Sequence, residues 1–264
     1  MIRLIASDVD GTLLKEESQN LNPNIYDIIR QLKEMDIHFI AASGRQYYNL
    51  RNIFAPVQDD ISYIAENGSL CISDGKVISR GLIDRELGLR IFRAIKEYGN
   101  CHCLLPCEST CYVESTSTAF IDHVKNGLCY NTCVVDDLSQ IQEPFLKIAV
   151  CDYNGTDDIW TYCRDLFSDE IKVVTSGYTW IDFIAPNANK GSALAELARH
   201  FNVKPEECMA FGDQYNDAEM LQFAGISYAM NTGAPGISDF ATYTTDSVEK
   251  VLYGLLDKLI HGNQ

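Results

Sequence analysis

The sequence predicts an α/β fold: a Rossmann-like core on a parallel sheet, interrupted by an inserted α+β cap domain. Three observations carry this reading. Apolar runs alternate with amphipathic helical segments through the first third of the chain, the rhythm changes over residues 84–184, and it resumes to the C-terminus. The core therefore comprises 1–83 and 185–264, and the cap comprises 84–184.

The elements follow in order. "IRLIASDV" is a continuous apolar strand, "NPNIYDIIRQLKEM" places its apolar residues at helical spacing, and "IHFIAASG" is a second buried strand. A helix near "YYNLRNIF" and a strand in "ISYIAENG" complete the parallel rhythm. In "SLCISDGKVISRGLI" two short runs flank Asp74-Gly75, a hairpin signal. The cap then reads as the helix "ELGLRIFRAIKEYG", strands "CHCLLP" and "CYVES", the helix "TAFIDHVKNG", the strand "FLKIAVC", the helix "DIWTYCRDLF" and the strands "IKVVTS" and "TWIDFIA". Its strands are expected to be antiparallel. The core resumes with "NKGSALAELARHF", "CMAFGD", "NDAEMLQFAG", "ISYAM" and the final helix "SVEKVLYGLLDKLI".

Composition narrows the classes of partner. The 264 residues carry 21 Lys and Arg against 37 Asp and Glu, a net charge of −16. Such a field repels nucleic-acid backbones and anionic membranes, so a small-molecule partner is expected. "MIRLIA" is too short for the apolar region of a signal peptide and no run is long enough to span a bilayer, which suggests a cytoplasmic protein. Ten cysteines, eight of them between Cys101 and Cys163, lack the paired C-x-x-C spacing of zinc ribbons; buried free thiols are the expected state. Oligomeric state is not legible.

Ligands of open α/β sheets bind beyond the carboxyl ends of the strands. Three polar clusters fall there: Asp8 with Asp10; Ser43 with Gly44 and Arg45; and Asp213 with Asn216 and Asp217. Residues two apart on a strand share a face, so Asp8 and Asp10 can address one site while Val9 enters the core. Carboxylates meeting there repel by roughly 1–4 kcal/mol per pair at about 4 Å, so a cation must offset them. An all-oxygen donor set that also touches phosphate suits Mg²⁺. Lys190 is a second cation, placed unfavourably at a helix start behind Asn189 unless an anion is near. Each cluster alone could be an ordinary turn or a solvated charge. Their shared position at the edge of one sheet argues for a site.

These motifs resemble those of the haloacid dehalogenase superfamily, in its Cof-like sugar-phosphatase branch with the larger α/β cap. "DVDGT" with "LL", "ASGR", "NKG" and "GDQYND" are similar to its four motifs, and "AENG" to a segment lining the site in this branch. Ser43 stands where threonine is common. The resemblance implies a Mg²⁺-dependent phosphoric monoester hydrolase acting on small phosphorylated metabolites such as sugar phosphates, through an aspartyl phosphate. Asp8 would be the nucleophile and Asp10 the general acid/base. Ser43, Gly44, Arg45, Asn67, Lys190 and Asn216 would contact phosphate or orient the site, and Asp8, Asp10 (through its carbonyl), Asp213 and Asp217 would hold or support the metal. The cap would set specificity, though Tyr112, Glu114 and Tyr178 could as well cover its core. A sugar phosphomutase of the same superfamily and a non-catalytic phospho-receiver are the alternative readings.

Overall fold

The structure is a computed structural model describing residues 1–14, 20–176 and 178–262. In chain order its elements are β1 (Leu4–Asp8), α1 (Asn24–Glu34), β2 (His38–Ala42), α2 (Tyr47–Ile53), β3 (Ser62–Ala65), β4 (Leu70–Ser73), β5 (Lys76–Arg80) and α3 (Arg85–Tyr98). Then come β6 (His102–Pro106), β7 (Cys111–Glu114), α4 (Thr118–Asp122), β8 (Thr132–Val134), β9 (Lys147–Cys151), α5 (Asp157–Phe167), β10 (Lys172–Ser176) and β11 (Trp180–Ile184). The chain finishes with α6 (Lys190–His200), β12 (Cys208–Gly212), α7 (Ala218–Phe223), β13 (Ile226–Met230), β14 (Tyr243–Thr245) and α8 (Val248–His261). Two compact units emerge. The first is Met1–Arg45, Leu50–Ser79 and Asn189–Gln264; the second is Gln46–Asn49 and Arg80–Ala188.

The first unit bears out the parallel core. Its sheet runs β14-β13-β12-β1-β2-β3-β4-β5, parallel from β14 to β3 and antiparallel at β3–β4. Strand alternation sends Leu4, Ala6, Ile40 and Ala210 to one face, where they pack on Leu194 and Leu197 of α6 and Met220 and Leu221 of α7. Helix α1 lies against β2 and α8 and buries Ile25, Ile28, Ile29 and Leu32, the i, i+3, i+4, i+7 stripe of an amphipathic helix. Because β1 sits between β12 and β2, the loops after these three strands emerge side by side. Asp74 and Gly75 both adopt positive φ, as a two-residue hairpin turn between β4 and β5 requires.

The second unit is an α+β sandwich with the order β10-β11-β9-β6-β7-β8. Helices α3 and α5 pack Ile91, Phe92, Ile95, Ile159 and Cys163 on Cys103, Leu105, Ile148, Val150, Ile181 and Phe183. The opposite face is partly covered by Phe120 of α4 and Val124 of the π turn that follows it.

Two expectations need correction. The antiparallel pattern fails at β7–β8, which are parallel, because α4 lies in the connection between them and returns the chain in the same direction. The cysteines are free thiols, but Cys129 and Cys133 are exposed, since β8 is a sheet edge with a loop before it. Cys103, Cys107, Cys111, Cys151 and Cys163 are buried, and burial pushes the Cys163 thiol up to about 12. Strands β8 and β14, three residues each, carried no readable alternation. No described helix is long and apolar enough to cross a membrane.

Helix α3 starts at Asp84, whose side chain accepts from the Leu87 N–H at 3.0 Å. We expect Asp84→Ala to lower the stability of the second unit by about 1 kcal/mol and Asp84→Ser to restore most of it, measured as the shift of the urea midpoint. Equal stability of the Ala and wild-type proteins would show that the cap contributes nothing.

Candidate active site

The carboxyl ends of β12, β1 and β2 converge on one cluster. Asp8 ends β1 and is buried, Val9 is fully buried, and the chain then turns, with the Leu13 and Leu14 N–H groups both donating to the Val9 carbonyl. Gly11 makes that turn possible. Its φ is +86°, and a Cβ there would lie 2.3 Å from Asp213 Oδ2, so the loop after β1 can approach the loop after β12 only without a side chain.

Lys190 is the centre of the cluster. Helix α6 begins there because Asn189 caps it, accepting from the Ser192 N–H at 2.7 Å while the Ser192 hydroxyl accepts from the Asn189 N–H. The Lys190 ammonium, 1% exposed, donates to Asp8 Oδ1 at 2.5 Å and to Asp217 Oδ1 at 2.6 Å. Burial alone would discharge this lysine, yet the charges of Asp217 and Asp8 outweigh that penalty and hold its pKa above the ordinary range. Burial pushes the Asp8 pKa well up; Lys190 opposes this, and the neighbouring Asp217 and Asp213 add to it.

The remaining acids are fixed by their own loop. Asp217 Oδ2 accepts from the N–H groups of Asp213 and Gln214, so this carboxylate, with Lys190 on its other oxygen, is fully engaged. Asp213 accepts from the Thr12 hydroxyl at 2.7 Å and from Gln214 Nε2 at 3.0 Å. Asp8, Asp213 and Asp217 present oxygens all within 4.8 Å of one another. Three carboxylates against one ammonium leave a formal excess of two negative charges. Asp8 Oδ2 is buried without a hydrogen-bond partner. An all-oxygen cluster with that charge excess and one orphaned oxygen fits a hard divalent cation.

The other predicted residues lie at the rim. The Asp10 side chain is half exposed and turned to Arg45, whose Nη2 and Nε donate to Oδ1 at 2.6 Å and Oδ2 at 2.9 Å. The Ser43 hydroxyl, buried, lies 3.3 Å from Asp10 Oδ2 and accepts from the Arg45 N–H. Asn67 takes a left-handed conformation, donates its N–H to the Ser43 carbonyl and accepts from Asn216 Nδ2 at 2.9 Å. A Cβ at Gly44 would come within 3.1 Å of this amide, a tight contact to which Asn67 would have to yield. Thr12 and Gln214, which orient Asp213, were not singled out in the sequence; both lie within quoted motifs, next to a named carboxylate. In the second unit Tyr112 bonds Glu143, and Glu114 pairs with Lys96 and accepts from the Leu138 N–H, so these two serve the unit's own packing. Tyr178 is exposed.

A family model of haloacid dehalogenase-like hydrolases matches residues 5–257. The chain belongs to this family. It is an enzyme, a haloacid dehalogenase-like phosphatase, as the resemblance of its motifs implied. The 5-amino-6-(5-phospho-D-ribitylamino)uracil phosphatase YbjI of Escherichia coli (strain K12) is 26% identical over 260 residues, covering 97% of this chain and 94% of that protein. The HMP-PP phosphatase of Citrobacter koseri is 28% identical over 239 residues, 89% of this chain and 86% of that one. The crystal structure of TM0651 from Thermotoga maritima superposes with a TM-score of 0.85 at 25% identity, covering 96% of this chain and 97% of that one.

The lysine bridge sets a stability prediction. Lys190→Met leaves two buried carboxylates without their counter-charge, and we expect a loss of about 3–5 kcal/mol in chemical denaturation with chelator present. A loss below about 1 kcal/mol, the range of exposed pairs, would show that the bridge is not buried in solution.

Proposed function

We propose that the protein hydrolyses small phosphorylated metabolites, phosphate monoesters of sugars or sugar alcohols, through a phosphoryl group carried on Asp8, with Mg²⁺ in the carboxylate cluster. The observation that carries this reading is the state of Asp8: a buried carboxylate at a strand end, one oxygen bound by Lys190 and the other unpartnered. The two relatives named above are a 5-amino-6-(5-phospho-D-ribitylamino)uracil phosphatase and an HMP-PP phosphatase, which supports a small phosphorylated substrate for this chain.

Asp8 and Asp213 would hold the metal with the Asp10 carbonyl, and Asp217 would support it from behind through Lys190 and the Asp213 N–H. When bound, Mg²⁺ supplies positive charge that offsets the phosphoryl oxygens. Ser43, the Gly44 backbone, Asn67 and Asn216 receive the phosphate at the rim, and Lys190 stabilises charge at Asp8. Asp8 attacks phosphorus in line, the ester P–O bond breaks, and the leaving oxygen takes a proton from Asp10. Water then gives a proton to Asp10 and attacks phosphorus, releasing inorganic phosphate and the Asp8 carboxylate. Arg45 occupies both oxygens of Asp10, so it must turn away, towards the substrate phosphate, before Asp10 carries the proton. The second unit would set the specificity for the group that carries the phosphate.

Two experiments test this. Turnover should vanish in excess chelator and return with Mg²⁺; full activity in chelator would contradict the metal assignment. Asp10→Ala should slow phosphoenzyme formation from a sugar phosphate by about 10²–10⁴-fold, the usual worth of a general acid, because a sugar alkoxide leaves poorly without a proton. From p-nitrophenyl phosphate the same variant should release a burst of nitrophenolate near one equivalent per enzyme, then turn over slowly. Rapid quench with both esters measures it, and equal slowing for both leaving groups would remove Asp10 from the acid's role.

A further inference from the structure

We infer that the second unit binds an extended organic cation, one carrying two or three ammonium groups, in a cleft beside the start of α5; this does not depend on the phosphatase reading above. The cleft has a volume of about 350 Å³ and lies wholly within the second unit. Tyr98 borders it from the end of α3, Asp152 and Asn154 from the turn after β9, Asp157 and Asp158 from the first turn of α5, and Tyr178 from between β10 and β11. Among the described residues no Lys, Arg or His borders it. Three carboxylates therefore face the cleft without a counter-charge, and none of the three forms an ion pair with a described residue.

The positive end of α5 accounts for Asp157 and Asp158, which are exposed in its first turn. It does not account for Asp152. That residue is only 5% exposed; its Oδ1 accepts from the Asn154 N–H at 2.9 Å and from Asn154 Nδ2 at 3.0 Å, while Oδ2 accepts no hydrogen bond from a described residue. A carboxylate held out of water in this state is costly unless a donor or a cation comes to its free oxygen. Burial, then the charges of Asp152 and Asp158, raise the Tyr98 pKa, so that hydroxyl stays protonated beside them. A bare metal ion fits poorly because the carboxylates do not converge: among the described residues only Asp8, Asp213 and Asp217 bring three such ligand atoms within 4.8 Å of one another. Charges spread along a cleft of this size match ammonium groups separated by methylene links. The two tyrosine rings can cover those links and face the ammonium groups. Tyr178 is placed for this by Gly155, since its hydroxyl lies 3.5 Å from the Asn154 carbonyl and a Cβ at Gly155 would come within 3.1 Å of it.

The test is isothermal titration calorimetry of the full chain with spermidine as the probe. It is run in about 0.15 M salt, where scattered surface charges are largely screened, and with excess Mg²⁺, so that any site for a hard divalent ion is already filled. The wild-type protein should bind one equivalent. Asp152→Asn keeps the acceptor that Asn154 uses and removes the charge; Asp158→Asn changes an exposed side chain and so guards against misfolding. Each should weaken binding about tenfold, the worth of one ammonium–carboxylate contact near the surface. Asp257→Asn, an equal change of net charge at an exposed position on α8, should leave the affinity as it is. No saturable binding to the wild type, equal affinity in all four proteins, or a loss in Asp257→Asn as large as in the other two would overturn the assignment. Binding that appears only when Mg²⁺ is removed by chelator would overturn it as well, since the probe would then be standing in for a metal ion.

Discussion

Lys190 carries its charge almost out of reach of water because two carboxylates, Asp8 and Asp217, close on it from different loops. An isolated ammonium at this depth would discharge, and a buried carboxylate left without a counter-charge is costly. The three together satisfy one another, and in doing so tie the end of β1, the start of α6 and the loop after β12 into one body. Much of the neighbouring backbone follows from that requirement. Gly11 must lack a side chain to pass Asp213, Gly68 to pass the Asn189 carbonyl and Gly212 to pass Asp217. Thr12 and the N–H groups of Asp213 and Gln214 then occupy acceptors that Lys190 cannot reach.

The bridge also leaves a deliberate imbalance. Two negative charges remain uncompensated, and Asp8 keeps one buried oxygen without a partner. Stability alone would favour a neutral, saturated cluster, as buried polar networks pay for every unmet group. On the proposed mechanism the deficit is the binding site for the metal, and the nucleophile stays reactive because its surroundings are complete only with metal and substrate present. Arg45 and Asp10 form a second, looser pair at the rim, where water lowers the cost of breaking it.

Much of this was legible in the sequence because the chemistry sits at strand ends, and strand ends are where apolar runs stop. Asp8, Ser43 and Asp213 each follow such a run, and the parallel topology brings those runs together. The helix start at Lys190 could be read from Asn189 and the apolar periodicity behind it. What escaped was of two kinds. Strands β8 and β14 are three residues long and pair only because the rest of their sheets exist, so no local pattern announces them. The choice of which carboxylate pairs with which cation depends on side-chain direction across the loops; nothing in the spacing shows Arg45 forked onto Asp10 or Asp217 saturated by Lys190 and backbone N–H groups. The exposed Cys129 and Cys133 departed from the expectation for cysteine because residue preference speaks for the core and says nothing of a sheet edge.

The central claim is that Asp8 carries the phosphoryl group. It is tested most directly by quenching the enzyme in acid during steady-state turnover of a phosphate ester, and locating any added phosphoryl group by peptide mass spectrometry. The account predicts a mass gain of one phosphoryl group on the peptide containing Asp8, formed and lost at rates compatible with turnover and absent from Asp8→Asn. Turnover with no such species under conditions where its breakdown is slowed, or a phosphoryl group on a different residue, would contradict it.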